Sequence, residues 1–347
     1  MLIEELRHRA IACSLLPPTT LRRVVERLGF VQADPIQAPA RAQDLILRPR
    51  VKGYRVGDLE RHYTRLGLEE DFLYAYGFMP RATWRLLHPR DLGKLTAREQ
   101  RVLDFALGAE RVHPRDLDEV FGRKRVTNDW GGMSQETTRI LEKLHHRGAL
   151  RICARDNGIR IYTAAAAHEP LEPAERVRGI ALLIASILAP VTERMLRAAI
   201  SYTCRWMAGR EAPRSTIAAL VRSGELESET VDGVRFYWPA GARVGEPNGG
   251  VRFLAPFDPL VWDRRRFTHF WGWTYRFEAY TPVAKRKLGY YALPMLWRDQ
   301  MIGWVNAGRD GSVEAGFQGA RPRDAAFQRE FDDEVSRLRD FLRLSAP

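Results

Sequence analysis

Cysteine is scarce in this 347-residue chain: Cys13, Cys153 and Cys204 are its three, far apart and in no Cys-x-x-Cys arrangement. A disulfide framework and a structural zinc site are therefore not expected, and a reducing compartment suits the chain best. Clusters of histidine and cysteine at ligand spacing are missing, as is a glycine-rich phosphate loop, so neither metal nor cofactor is expected. No apolar run reaches the length that spans a bilayer, the longest candidate being residues 180–190. The first ten residues are amphipathic and charged and lack the apolar centre of a secretory signal. Negative charge is short too. Against 55 Lys and Arg stand 43 Asp and Glu, a net +12 that favours polyanionic partners, nucleic acid first. Residues 250–309 hold ten basic and four acidic side chains, half of that excess.

What is present is organised around residues 28–36, Leu-Gly-Phe-Val-Gln-Ala-Asp-Pro-Ile. Val24, Val25 and Leu28, at helical spacing, stop at Gly29. Val31, Ala33 and Pro35 then alternate with Gln32 and Asp34, as on a short strand closed by proline. Residues two apart on a strand share a face, so Gln32 and Asp34 would project side by side, roughly 7 Å apart at their backbones. An amide and a carboxylate so placed can hold one water, with Asp34 taking its proton or facing a developing positive charge. A solvated polar strand face is the plainer reading of these residues taken alone.

The chain reads as an α+β protein: three tandem winged helix-turn-helix units, then a small antiparallel β-barrel or sheet and a terminal helix. The first unit, residues 1–95, should hold helices over 2–12, 21–28 (capped by Thr20), 41–47, 56–66 and 69–78, with a basic loop at 48–55. The second, 96–170, opens on the capping box Thr96-Ala97-Arg98-Glu99 and continues with a short helix over 113–121. Its third helix, capped by Ser134, carries Thr137, Ile140, Leu141 and Leu144 on one stripe and ends at Gly148. Strands over 150–152 and 159–161 follow, joined around Asn157-Gly158. The third unit, 171–240, repeats the order with helices over 177–188, 192–202 and 214–221 and strands 226–230 and 234–238 around Asp232-Gly233. Arg-Gly-Ala-Leu…Asn-Gly-Ile-Arg-Ile-Tyr recurs about 75 residues on as Ser-Gly-Glu-Leu…Asp-Gly-Val-Arg-Phe-Tyr, an internal repeat. A Gly/Pro/Asn-rich linker at 241–250 leads to the last domain, 250–347, with strands to about Phe317 and a helix over 322–343. No dimerisation helix is evident apart from that one, so a monomer is expected.

Winged helices lay a helix in the major groove and brace the wing on the backbone, so three of them with net positive charge read as DNA binding. Arg139, Lys143, Arg147, Arg214 and Arg222 lie on or near the two recognition-type helices, where plain solvated charge explains each as well.

The most distinctive text is C-terminal. It runs Pro256-Phe257-Asp258-Pro259-Leu260-Val261-Trp262-Asp263-Arg264-Arg265-Arg266, then Tyr275-Arg276-Phe277-Glu278-Ala279-Tyr280-Thr281-Pro282, Lys285-Arg286-Lys287-Leu288-Gly289-Tyr290-Tyr291 and Leu293-Pro294-Met295-Leu296-Trp297. With these motifs the chain resembles, over most of its length, the winged-helix DNA glycosylases of the interstrand-crosslink-repair type, the AlkZ/YcaQ-like family. That family's catalytic signature is Gln-apolar-Gln or Gln-apolar-Asp near the N-terminus. Gln32-Ala33-Asp34 matches the second form, associated with broader activity on N7-alkylated purines. The resemblance implies a monofunctional glycosylase acting on double-stranded DNA with alkylated or crosslinked purines, in base-excision repair or in self-resistance to a genotoxin. Its setting would be the cytoplasm and nucleoid, with no membrane partner.

The resemblance further implies contact with the DNA backbone for Arg264, Arg265, Arg266, Lys285, Arg286 and Lys287. Tyr280 joins them as a DNA-binding candidate, although Tyr275 and Tyr280 read more simply as barrel core. Asp258 and Asp263 could pass for a carboxylate pair, but a turn at Asp258-Pro259 explains the first. One departure stands out. The family commonly has an aromatic-Trp-x-His-like stretch after the first unit, whereas residues 73–80 here read Leu-Tyr-Ala-Tyr-Gly-Phe-Met-Pro, and His88 is a poor replacement. The competing reading is a non-enzymatic winged-helix transcription regulator, whose DNA binding would be indifferent to Gln32 and Asp34.

Overall fold

The computed structural model describes residues 2–15, 17–127, 131–156, 158–166, 169–242 and 249–342. Asn157 of the expected hairpin turn and residues 243–248 of the expected linker lie outside them. The fold is α+β.

The chain opens with α1 (Ile3–Ser14). α2 (Leu21–Leu28) starts where the Thr20 hydroxyl accepts from the Arg23 amide, and it ends at Gly29 with φ +65°. That left-handed residue turns the chain into β1 (Val31–Gln32). Three short helices follow: α3 (Ala42–Leu47), α4 (Asp58–Arg61) and α5 (Tyr63–Leu66).

The helix expected over 69–78 is instead a hairpin, β2 (Leu68–Phe72) and β3 (Tyr76–Pro80), in a sheet of order β1-β3-β2. The acidic run Glu69-Glu70-Asp71 looks like a solvated helix face, yet all three carboxylates are buried. Glu69 lies 2.9 Å from Arg151, Glu70 2.5 Å from Arg155, and Asp71 2.8 Å from Arg90 and 2.6 Å from His88. Those partners stand up to 85 residues away, beyond the reach of local periodicity. After the hairpin, α6 (Arg81–Leu87) begins at once, and its Thr83 hydroxyl donates to the Gly29 carbonyl at 2.9 Å.

The middle of the chain contains the expected succession twice. α7 (Ala97–Leu107) carries the capping box of Thr96 and Glu99, and α8 (Pro114–Phe121) follows. A small ribbon, β4 (Arg125–Thr127) with β5 (Met133–Gln135), was not anticipated. It takes Ser134 into a strand and leaves Gln135 as N-cap of α9 (Glu136–Arg147), whose stripe Thr137, Ile140, Leu141 and Leu144 is buried. β6 (Leu150–Asp156) and β7 (Ile159–Ala164) then pair antiparallel. The second round is α10 (Pro173–Ile187), β8 (Val191–Thr192), α11 (Glu193–Thr203) capped by Thr192, α12 (Pro213–Arg222), β9 (Leu226–Val231) and β10 (Val234–Pro239). The last hairpin turns through Asp232 and Gly233 with φ of 50° and 75°, the geometry that favours Asp-Gly.

Beyond it come β11 (Val251–Phe253), α13 (Pro259–Trp262), α14 (Arg264–Trp271), β12 (Leu293–Trp297), β13 (Gln300–Ala307), β14 (Val313–Phe317) and α15 (Ala325–Leu342). The sheet is open, of order β11-β12-β13-β14. Two helices and an irregular crossing occupy 254–292, which leaves four strands, too few to close a barrel.

One core joins the two ends of the chain: Val24, Leu28 and Val31 share it with Phe253, Tyr291, Met295 and Phe341. Buried ion pairs reinforce that join. Arg50, from the expected basic loop, grips Asp258 with two hydrogen bonds of 2.7 and 3.0 Å, and Arg48 lies 2.5 Å from Glu334. Among the described residues no helix is long and apolar enough to cross a membrane.

β1 depends on Gly77. A Cβ there would lie 2.3 Å from the Val31 carbonyl oxygen and 2.7 Å from the Phe30 ring. Gly77→Ala is expected to destabilise the protein by about 1–3 kcal/mol through this overpacking, read as a lowered urea midpoint. An unchanged midpoint would show that β1 does not rely on the close approach.

Candidate active site

Gln32 registers opposite Gly77, and the Ala33 amide donates to the Tyr76 carbonyl at 2.9 Å as the last rung of the ladder. The chain then leaves the strand. Asp34 Oδ1 accepts from the Ile36 amide at 2.9 Å, a local turn that fixes the carboxylate above Pro35. Gln32 and Asp34 therefore bracket a strand end rather than share a longer strand face. Both are half-buried. Burial pushes the Asp34 carboxyl above its ordinary pKa, and the Ile36 amide partly offsets this. Gln32 Oε1 is buried with no hydrogen-bond partner among the described residues.

Tyr291 borders the same place. Its ring packs against Phe257 and Phe277 with centroids 6.4 and 5.2 Å away, and its hydroxyl too is buried without a partner among the described residues. Burial raises the phenol's pKa most, and the charge of Asp34 comes next, so phenol and carboxylate sense one another. A buried oxygen left unsatisfied costs about 1–3 kcal/mol, so two at one strand end are a feature to explain. Sequence reasoning missed Tyr291, Phe257 and Phe277 as site residues. The signal was their place within the motifs that begin at Pro256 and end at Tyr291.

The arginine run of α14 does not form one surface, because successive helical residues point about 100° apart. Arg266 is 1 % exposed, and its guanidinium donates to the carbonyls of Leu188, Pro190 and Pro259. It is a buried brace, and no phosphate can reach it. Arg264 donates to the carbonyls of Val261 and Pro256 at 2.7 and 2.8 Å and lies over the Tyr275 ring, so its charge also turns inward. Arg265 is the exposed member.

The second basic cluster sits on the loop 279–287. Its base is fixed by the buried Glu278 carboxylate, which accepts from the amides of Lys287 and Leu288 at 2.8 Å and Gly289 at 3.3 Å. Lys285 and Lys287 are exposed, while Arg286 donates to the Thr281 carbonyl and lies over Tyr290. Tyr280 is 81 % exposed, which corrects its reading as core. Tyr275 is core: it is buried and donates to the Ala292 carbonyl at 2.7 Å. Ring contacts link Tyr280 through Phe277 to Tyr291, the phenol that feels the Asp34 charge.

Other sequence candidates fall away from this place. Asp258 and Asp263 cap α13 and α14. His88 is buried between Asp71 and the Trp84 ring, and burial lowers its pKa to about 4. Glu4, His8 and Asp299 form a group with the ligand types and spacing for a metal ion, on α1 and the β12–β13 turn.

The mixed α+β scaffold thus holds a carboxylate and an amide at a strand end, with a basic, aromatic-tipped loop linked to it by ring contacts. Residues 25–341 match the family described as DNA glycosylase AlkZ-like, and the chain belongs to that family. The fold is similar to that of the DNA glycosylase AlkZ of Streptomyces sahachiroi, with a TM-score of 0.64 over 99 % of this chain and 96 % of that one at 14 % identity.

Asp34 is expected to titrate above 3.8, because burial disfavours its charged form, and its charge is lost as pH falls through the raised value. Carboxyl carbon NMR of the wild type, with Asp34→Asn to assign the signal, measures the midpoint. A value at or below 3.8 would mean that water reaches the group more freely than its burial allows.

Proposed function

We propose that the protein is a monofunctional glycosylase that hydrolyses the N-glycosidic bond of N7-alkylated purines in duplex DNA, including purines tied into interstrand crosslinks. The observation that carries this reading is the end of β1. There a half-buried carboxylate and an amide oxygen without a donor among the described residues stand two residues apart in a chain of the AlkZ-like family. Alkylation at N7 leaves the purine cationic and already a good leaving group, so no acid has to protonate it. Water attacks C1′ of the sugar, the C1′–N9 bond breaks, and its electron pair neutralises the departing purine. Asp34 as carboxylate faces the positive charge growing on the sugar and takes the proton that the water gives up. Gln32 accepts from the same water and orients it. An unmodified purine keeps its bond because this scheme supplies no proton to it.

Residues 1–95, 96–170 and 171–240 act here as three winged-helix units carrying a duplex, with the 250–347 domain against the lesion. Tyr280, Lys285, Arg286, Lys287 and Arg265 are the groups suited to the DNA around it. Tyr280 serves as an aromatic face and the charges as phosphate partners. A site at a strand end takes a bulky adduct without engulfing an extruded base. The chemistry fits a monomer working on nucleoid DNA in the cytoplasm, in general alkylation repair or in self-resistance to a genotoxin. A regulator without activity would bind DNA indifferently to Gln32 and Asp34, and family membership does not favour it.

The test is incubation with duplex carrying N7-methylguanine or a nitrogen-mustard crosslink, with abasic sites scored after alkaline cleavage. Asp34→Ala and Gln32→Ala should each slow base release by about 10²–10⁴-fold, the usual worth of a positioned base, while duplex affinity stays near wild type. Full activity in Asp34→Ala would sink the reading.

A further inference from the structure

Most arginines with ion pairs on this surface sit against a neighbouring carboxylate, as Arg98 does with Glu136, Arg139 with Glu142 and Arg178 with Glu225. One cleft breaks that habit. Between α11, α12, the β9–β10 turn and α14 lies a cavity of about 850 Å³ whose lining includes Arg194, Arg197, Arg214, Arg235 and Arg265. Its lining holds one carboxylate, Glu193, which lies 3.7 Å from Arg197; Asp232 at the turn lies 3.6 Å from His269. Arg194, Arg214 and Arg265 are exposed and have no carboxylate within ion-pair distance among the described residues. Arg235 reaches Ser228 Oγ at 3.3 Å and lies over the Tyr237 ring. α12 opens into the same cleft on Ala212, which offers no side-chain cap, so the positive end of a ten-residue helix adds to the field.

Five guanidiniums that share one carboxylate repel one another unless an anion lies among them. We propose that this cleft is a second DNA seat, which takes backbone phosphates of the undamaged duplex flanking the lesion. An extended polyanion suits it better than a compact one, because the charges come from four separate elements, α11, α12, β10 and α14. The cleft also belongs to the same body as the strand end. Arg265 lies in the first turn of α14, just after α13, whose Trp262 packs 4.6 Å from Tyr74, itself 5.2 Å from Phe30 ahead of β1. The proposal rests on the reading above that the lesion lies against Asp34, and it adds where the rest of the duplex goes.

The experiment uses the full chain with Arg194→Gln and Arg214→Gln combined, and undamaged duplexes of about one and about three helical turns. On the long duplex, affinity should fall about eightfold per arginine at 0.1 M salt. The slope of log K against log salt should shrink by about 0.9 per arginine, the contribution of one neutralised phosphate. The Arg194→Lys/Arg214→Lys pair should restore most of both, which separates lost charge from lost folding. Base release from a lesion at the centre of the short duplex, under saturating enzyme, should stay at the wild-type rate. Unchanged affinity and slope on the long duplex would overturn the proposal. So would inorganic phosphate that raises the wild-type Tm but not the variant's while duplex binding is the same in both, which would assign the cleft to a small anion. Asp34→Asn, run in parallel, reports separately on the strand end. If it stays active, the catalytic reading fails while the measured role of the cleft stands.

Discussion

The pairing of Val31 and Gln32 with Phe78 and Gly77 is the constraint on which the rest of the site depends. It is two residues long, and its close approach requires a glycine opposite Gln32 because any Cβ would strike the Val31 carbonyl. A ladder so short holds its position only if its partner strand is rigid. β3 is rigid because β2 beside it is fastened by three buried carboxylates to arginines and a histidine from elsewhere in the chain. Asp71 illustrates the balance. Burial alone would raise its pKa, but Arg90 and His88 hold it far below the usual carboxylate range, so it stays charged and the clamp stays closed. Arg151 and Arg155 of β6, with His88 and Arg90 after α6, thus buttress the first sheet.

The site is divided between distant parts of the sequence for a related reason. A carboxylate half out of water needs apolar neighbours to raise its pKa and a polar one to keep it oriented. β1 is too short to bring either. The aromatic wall comes from Phe257, Phe277 and Tyr291, and the orientation comes from the turn amide of Ile36. Glu278 does for the adjoining loop what Ile36 does for Asp34, using three backbone amides to fix a segment with little packing of its own.

How much of this was legible in the sequence follows from the range of the forces involved. Helix ends governed by local chemistry were readable: Thr20 and Thr96 cap where expected, Gly29 and Gly148 terminate, and Asp232-Gly233 turns a hairpin. The Gln32/Asp34 pair was readable because it lies between two such signals. The β2–β3 hairpin was not, since its acidic strand is stable only against arginines that the local pattern cannot show. The run Arg264–Arg266 looked like one basic patch because a sequence does not display helical phase; two of its three charges turn inward. Tyr280 looked like core because tyrosine often is, and a loop held by Glu278 has no periodic signature. Tyr291 could be seen in its motif, but its nearness to Asp34 comes from the core that joins both ends of the chain.

That joined core has a consequence for how the protein comes into being. The Gln-Ala-Asp triplet is synthesised long before Asp258, the partner of Arg50, Tyr291 of the aromatic wall and Glu334, the partner of Arg48. Until then Val24, Leu28 and Val31 lack the surface they are buried against. A nascent chain therefore carries Gln32 and Asp34 well before the segments that pack around β1 exist, so the strand end takes its final form only after Phe341 has joined the shared core.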